Sequence, residues 1–178
     1  MSNLYLIGYR GCGKTTVARL LSERLQLPAF DADEYLEQQA GQTIREIFAA
    51  EGEAGFRDRE SQVVQELTKR DGLIVSWGGG VILRETNRSA LKQAGRIVWL
   101  RARPETVLMR IEQDPTTGAR RPNLTAAGGL EEVRHLLSQR EPLYIAAADW
   151  TISVDELPPA AIATSIGDWF RNQEGGQP

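Results

Sequence analysis

Gly8-Tyr9-Arg10-Gly11-Cys12-Gly13-Lys14-Thr15 has the spacing G-x-x-x-x-G-K-[ST]. In that pattern backbone N–H groups wrap a polyphosphate, the Lys reaches the outer phosphates and the adjacent hydroxyl turns to Mg²⁺. Transfer of the terminal phosphoryl then needs in-line placement, a cation and positive charge over the oxygens, with little covalent work left to the protein. Asp31 and Asp33 end a short apolar run. On a regular strand their side chains would point to opposite sides, one toward a metal and the other toward an acceptor hydroxyl, whose proton it could take. The same two acids also suit the N-terminus of a following helix. Phe56-Arg57-Asp58-Arg59-Glu60, taken alone, is a self-paired, solvated helix face. Gly78-Gly79-Gly80 is either a tight turn or a stretch of bare N–H groups where a side chain would block a ligand. Arg120-Arg121-Pro122-Asn123-Leu124 is either an exposed basic loop or a closing lid that brings arginine to the transition state once water is excluded. In Arg140-Glu141-Pro142 the proline should end or kink a helix, and Arg140 at that kink would aim inward. Cys12 is a packing residue, His135 a surface one, and no His/Cys cluster offers a zinc site.

These residues need a frame. Leu4–Ile7 reads as a buried strand, and Val17, Leu20, Leu21 and Leu25 recur at helical spacing after the glycine-rich turn. Strand thus runs into loop and loop into a helix N-terminus, where unpaired N–H groups and the dipole favour anions. Further strands are expected at 28–33, 73–77, 96–100 and 151–154. Helices are expected from Glu34 to Ala40, from the capping box at Thr43-Ile44-Arg45-Glu46, over 52–70, 84–94 and 104–113, from Leu130, and from Pro158 to Phe170. Strands that are continuously apolar and alternate with helices indicate a parallel α/β sheet covered on both faces. Ligands sit beyond the carboxyl ends of such strands, where the phosphate loop, the two acids and the triple glycine all fall. One domain over 1–173 is expected, with a loop at about 114–129 broken by Pro and Gly, and a disordered tail at 174–178.

Composition narrows the rest. With 178 residues and a net charge of −3, nothing favours general nucleic-acid binding. Arginine outnumbers lysine eighteen to three, which suits bidentate recognition of anions but follows equally from genome composition. No apolar run approaches the roughly 18 residues a membrane span needs. A single Cys and an N-terminus that enters the first strand at once imply a cytoplasmic chain without a signal peptide.

Together the motifs resemble shikimate kinase, a small member of the nucleoside monophosphate kinase group of P-loop proteins. Gly-Tyr-Arg-Gly-Cys-Gly-Lys-Thr, Phe-Asp-Ala-Asp, Phe-Arg-Asp-Arg-Glu, Trp-Gly-Gly-Gly, Arg-Arg-Pro-Asn-Leu and Arg-Glu-Pro-Leu-Tyr occur in family order from Leu4 to about Trp169. The resemblance implies a three-layer α/β/α fold with a five-stranded parallel sheet of order 2-3-1-4-5, a mobile lid loop and a monomer. It implies ATP-dependent phosphorylation of the shikimate 3-hydroxyl to shikimate 3-phosphate and ADP, on the route through chorismate to aromatic amino acids. Carried over, Gly11, Cys12, Gly13, Lys14, Thr15, Thr16, Arg110 and Arg121 would bind ATP, Arg110 flanking the adenine and Arg121 over the γ-phosphate. Thr15 would ligate Mg²⁺, with Asp31 and Ser76 holding it through water. Asp33, Arg57, Glu60, Gly78, Gly79, Gly80 and Arg140 would bind shikimate. The catalytic set would be Lys14, Asp33 and Arg121. Cys12 stands where Ser or Ala is more common, and 155–159 lacks the arginine many relatives place near adenine. The alternatives are a gluconate kinase-like enzyme and a non-catalytic nucleotide-binding regulator.

Overall fold

The apolar runs become the strands β1 (Asn3–Ile7), β2 (Ala29–Asp31), β3 (Ile74–Ser76), β4 (Gly95–Arg101) and β5 (Trp150–Ser153). They belong to a computed structural model that describes residues 2–113 and 129–175. All four pairings are parallel and the order is β2-β3-β1-β4-β5. The chain leaves β1 to one side and returns to β4 on the other. The carboxyl end of β1 is therefore a switch point, and the phosphate loop emerges from it. The helices are α1 (Lys14–Leu25), α2 (Ala32–Ala40), α3 (Ile44–Leu67), α4 (Glu85–Ala94), α5 (Pro104–Gln113), α6 (Gly129–Ala147) and α7 (Pro159–Gly175), with a 3₁₀ turn at Val81–Leu83.

Alternate residues of each strand enter two separate cores. Leu4, Leu6, Ile74, Val98, Leu100 and Ile152 pack on Val17 and Leu21 of α1 and Ile162, Ile166 and Phe170 of α7. Tyr5, Ile7, Val75, Trp77, Ile97 and Trp99 face the opposite layer, where Leu36, Ile47, Phe56, Val64, Leu91 and Tyr144 meet them. Each such apolar side chain contributes about 1.5–3 kcal/mol when fully buried, so both layers are pinned. The phenol of Tyr5 accepts an N–H from Asn3 Nδ2 at 2.8 Å. Burial pushes Tyr5 up to about 12, against the pull of that hydrogen bond. Among the described residues no helix is long and apolar enough to cross a membrane.

Three local expectations change. The strand holding the two acids stops at Asp31, which caps α2 by accepting the N–H groups of Asp33 and Glu34. Asp33 is helical, so the two acids do not alternate on a strand. The two helices expected on either side of Gly52 are present as the two arms of α3, parted where Gly52 leaves helical geometry at φ 67° and ψ −171°. Pro142, expected to end or kink its helix, does not end it but lies inside α6. It removes one N–H, yet Val133, Arg140, Tyr144 and Ala147 bury the same helix on both sides of it, and that packing outweighs the loss. The tail expected from residue 174 is corrected at its start. Both Glu174 and Gly175 belong to α7, and the Glu174 carboxylate accepts the Ser2 N–H at 2.9 Å. Residues 176–178 lie outside the described residues, as does the lid expected over about 114–129 except for Gly129, which opens α6.

Candidate active site

A crevice of about 360 Å³ opens at the carboxyl ends of β1, β2 and β3. Its walls include Arg10, Gly11, Gly13, Lys14, Thr15 and Thr16 of the phosphate loop, with Asp31, Asp33, Ser76, Gly78, Gly79 and Arg110. Gly13 caps α1 with φ 89°, a backbone conformation costly for a residue with a Cβ, and no side chain caps that end. The first N–H groups of α1 are thus left for an anion. The Lys14 ammonium is folded over the loop, donating to Gly8 O at 2.8 Å and Tyr9 O at 2.9 Å.

Asp31 joins two tasks. One oxygen caps α2, and the other accepts the Thr15 hydroxyl at 2.7 Å. Ser76 is buried and stands opposite Asp31 in the β2–β3 register. Thr15, Asp31 and Ser76 thus form a small set of hard oxygen donors, the kind Mg²⁺ takes together with phosphate oxygens and water. Among the described residues no group of three or more His, Cys, Asp or Glu could hold a metal alone. Asp33, from the first turn of α2, lines the same crevice as Asp31.

The Phe56–Glu60 stretch divides by helix face. Asp58 and Arg59 point outward, pairing with Arg84 at 2.7 Å and Glu51 at 2.6 Å. Arg57 and Glu60 are buried, with Arg57 Nη1 donating to Glu60 Oε2 at 2.7 Å. The solvated-face reading therefore holds for half of the motif and fails for the other half. A Cβ on Gly80 would lie 2.3 Å from Arg57 Nη1 and 2.4 Å from Nη2. Glycine is what lets the guanidinium rest against the backbone there.

Arg140 reaches the same glycines from α6, only 8% exposed, with Gly79 O 3.5 Å from its Nη1. The Tyr144 hydroxyl donates to that same carbonyl at 2.7 Å, and its ring stacks on Trp99 with centroids 5.3 Å apart. Burial raises the Tyr144 phenol, and the Arg140 charge only partly offsets it. Among the described residues Arg140 has no carboxylate within ion-pair distance. A guanidinium buried that deeply without a counter-ion is costly, and an arriving anion relieves the cost.

On the other side of the loop, Arg110 Nη2 donates to Val154 O at 2.8 Å. Asp155, in the segment without basic residues, accepts the Arg103 N–H at 2.9 Å. Burial alone would raise Asp155, but the Arg103 N–H and the Thr106 and Ser153 hydroxyls outweigh it and hold it below its ordinary value. Arg121 falls outside the described residues. Sequence reasoning missed Tyr9, Tyr144 and the pair Arg10–Glu132, whose closest atoms are 3.8 Å apart. Tyr144 was within reach, four residues after Arg140 and so on the same helix face. Nothing local marked Glu132 as a buried acid.

A parallel sheet with a phosphate loop at its switch point defines a P-loop α/β protein. The family model described as Shikimate kinase matches residues 10–171. The chain is 46% identical over 164 residues to a shikimate kinase of Rhodopirellula baltica, covering 92% of this chain and 88% of that one. It is 42% identical to one of Pseudomonas fluorescens over 168 residues, 94% and 95% of the two chains. The solved shikimate kinase of Acinetobacter baumannii in complex with shikimate superposes with a TM-score of 0.90 at 38% identity, over 98% of this chain and 95% of that one. This chain belongs to the shikimate kinase family.

Proposed function

We propose that this chain transfers the γ-phosphoryl of ATP to the 3-hydroxyl of shikimate, giving shikimate 3-phosphate and ADP in aromatic amino-acid biosynthesis. The observation that carries the reading is Arg140, buried at Gly79 with no carboxylate within ion-pair distance among the described residues, while Arg57 lies against Gly80, where the triple glycine meets the phosphate-loop crevice. A hydroxylated carboxylic acid fits that charge. Arg57 and Arg140 bind its carboxylate, the Gly78–Gly80 backbone lies along its ring, and Glu60 holds Arg57 in place. Asp33 accepts the hydroxyl proton as the phosphoryl bond forms, and the β–γ bridging oxygen leaves with ADP.

On the nucleotide side the amides of Gly11, Cys12, Gly13, Thr15 and Thr16 hold the phosphates, and Arg110 flanks the base. Lys14 leaves the Gly8 and Tyr9 carbonyls to bridge the outer phosphates. Magnesium, when bound, neutralises charge between those phosphates, and Thr15, Asp31 and Ser76 are the residues that would hold it. Arg121 is the residue the family resemblance offers for charge over the transferred group. The reading extends to a cytoplasmic monomer.

The test is coupled ADP release from purified protein offered shikimate, gluconate, CMP and AMP in parallel. Turnover with shikimate alone is expected. Preference for gluconate or a nucleotide, or ATP binding with no turnover on shikimate, overturns the reading.

A further inference from the structure

Tyr9 occupies a junction that neither substrate-binding set includes. It is the second residue of the phosphate loop and only 3% exposed. The Cζ of Arg10 lies 5.9 Å from its ring centroid and that of Arg140 5.7 Å. A Cβ on Gly79 would stand 3.4 Å from the Tyr9 Cα, so the loop and the triple glycine run backbone to backbone at this point. Beneath it the ring packs in a small cluster with Val107 of α5 and Val133 of α6. One aromatic side chain therefore touches the nucleotide loop, the buried arginine and two helices.

A cation within about 6 Å of an aromatic face is attracted by the ring quadrupole, more so when both are desolvated. Arg140 has few other anchors: the long contact to Gly79 O and the neighbouring Tyr144. Its position therefore depends on where the loop puts Tyr9. Lys14 donates to the Tyr9 and Gly8 carbonyls, and those bonds must be given up when phosphates draw the ammonium away. Loading of the nucleotide loop is thus felt by the backbone that carries the ring.

We propose that Tyr9 is a positioning residue that couples the two substrate sites: nucleotide phosphates set the loop, the loop sets the ring, and the ring seats Arg140 for the acceptor's carboxylate. The proposal rests on Arg140 acting as the carboxylate clamp.

Shikimate affinity is measured calorimetrically with and without a saturating β,γ-imido analogue of ATP, and the ratio of the two is the coupling. A native ratio of about fivefold or more is expected, in the usual range for linked sites. Tyr9→Leu should bring it to within about twofold of unity and raise the shikimate KM about fivefold. Analogue affinity without shikimate, and kcat at saturation, should stay within about threefold. Tyr9→Phe, which keeps the ring face, should retain the native ratio; Tyr9→Met repeats the ring-less comparison with a more pliable side chain. A native ratio of one, ring-less variants that keep the native ratio, or a Tyr9→Phe variant that loses it as fully as Tyr9→Leu, overturns the proposal. Arg140→Ala separates the two levels. If it leaves shikimate affinity intact, the clamp itself is refuted; if it abolishes affinity while Tyr9→Leu keeps the coupling, only the role of Tyr9 is.

Discussion

Gly80→Ala adds a single carbon at the point where the acid-binding side of the crevice is tightest. That carbon would sit 2.3, 2.4 and 2.5 Å from Nη1, Nη2 and Cζ of Arg57, about 1 Å inside ordinary contact. The backbone of Gly80 is not at a positive φ, so the methyl group is tolerated conformationally and the guanidinium must retreat. Retreat by about 1 Å breaks the 2.7 Å bond from Arg57 to Glu60 and shifts the charge away from its target. Loss of one hydrogen bond to a charged group costs about 1.5–3 kcal/mol, which is about 10- to 100-fold in kcat/KM for the acid. The fold should lose less, because Arg57 can turn toward the exposed Glu53 carboxylate, already 3.4 Å from Nη2. The assay is steady-state ADP release with each substrate varied in turn, on Gly80→Ala, Arg57→Ala and the double variant. The expected pattern is a raised shikimate KM, an ATP KM within about twofold, and a double variant no worse than Arg57→Ala, since both changes act through one group. Additive losses, or a defect confined to ATP, would refute the reasoning.

Other perturbations separate tasks that single residues combine. Asp31→Asn should keep the α2 cap, because Asn caps as well as Asp, while raising the magnesium concentration needed for half-maximal rate; Asp31→Ala should lose about 1 kcal/mol of stability as well. Thermal melts and magnesium titrations of the two variants check this, and equal stability loss in both would contradict it. Asp33→Asn should lower kcat by about 10²- to 10⁴-fold with ATP affinity unchanged in a binding titration, and a native kcat would remove its role as base. Tyr5 holds its proton in the folded protein up to about 12, above the ordinary value of about 10 for a free phenol. Its contribution to stability is therefore complete below pH 10 and lost as pH rises from there toward 12, where the unfolded chain binds fewer protons. Tyr5→Phe should flatten that alkaline fall in melting temperature, and an unchanged slope would show that other groups cause it.

Much of this molecule follows from short stretches. The phosphate loop, the capping box at Thr43, the cap at Gly41 and the helix opened by Pro104 all formed where the residues indicated. Each is decided by backbone geometry and hydrogen bonds among near neighbours, so no distant partner can change it. The expectation of a covered parallel sheet also held, because a strand that is apolar on both faces has no other stable setting. Two readings failed where a distant contact competed with a local one. Pro142 was read as ending or kinking its helix, but buried residues on both sides of it carry α6 through rather than ending it. Glu174 was read as tail, but Ser2 receives it. One miss was local instead: Asp33 was read as the end of a strand, but the Asp31 cap on its near neighbours starts the helix two residues earlier than expected.

The sequence by itself determined that a nucleotide-type loop joins a strand to a helix at the open end of a parallel sheet, since that information lies in glycine spacing and apolar periodicity. Only the tertiary structure decided which arginines matter. Arg57 and Arg59 are alike in sequence, yet one is buried against Gly80 and the other pairs with Glu51 at the surface. Arg140 loses its water, and Tyr9 comes within reach of two guanidinium groups, only when α6 packs against the loop. Desolvation is the physical reason: a charge costs nothing remarkable in a solvated chain, and becomes a binding group when packing removes its water and leaves it no carboxylate.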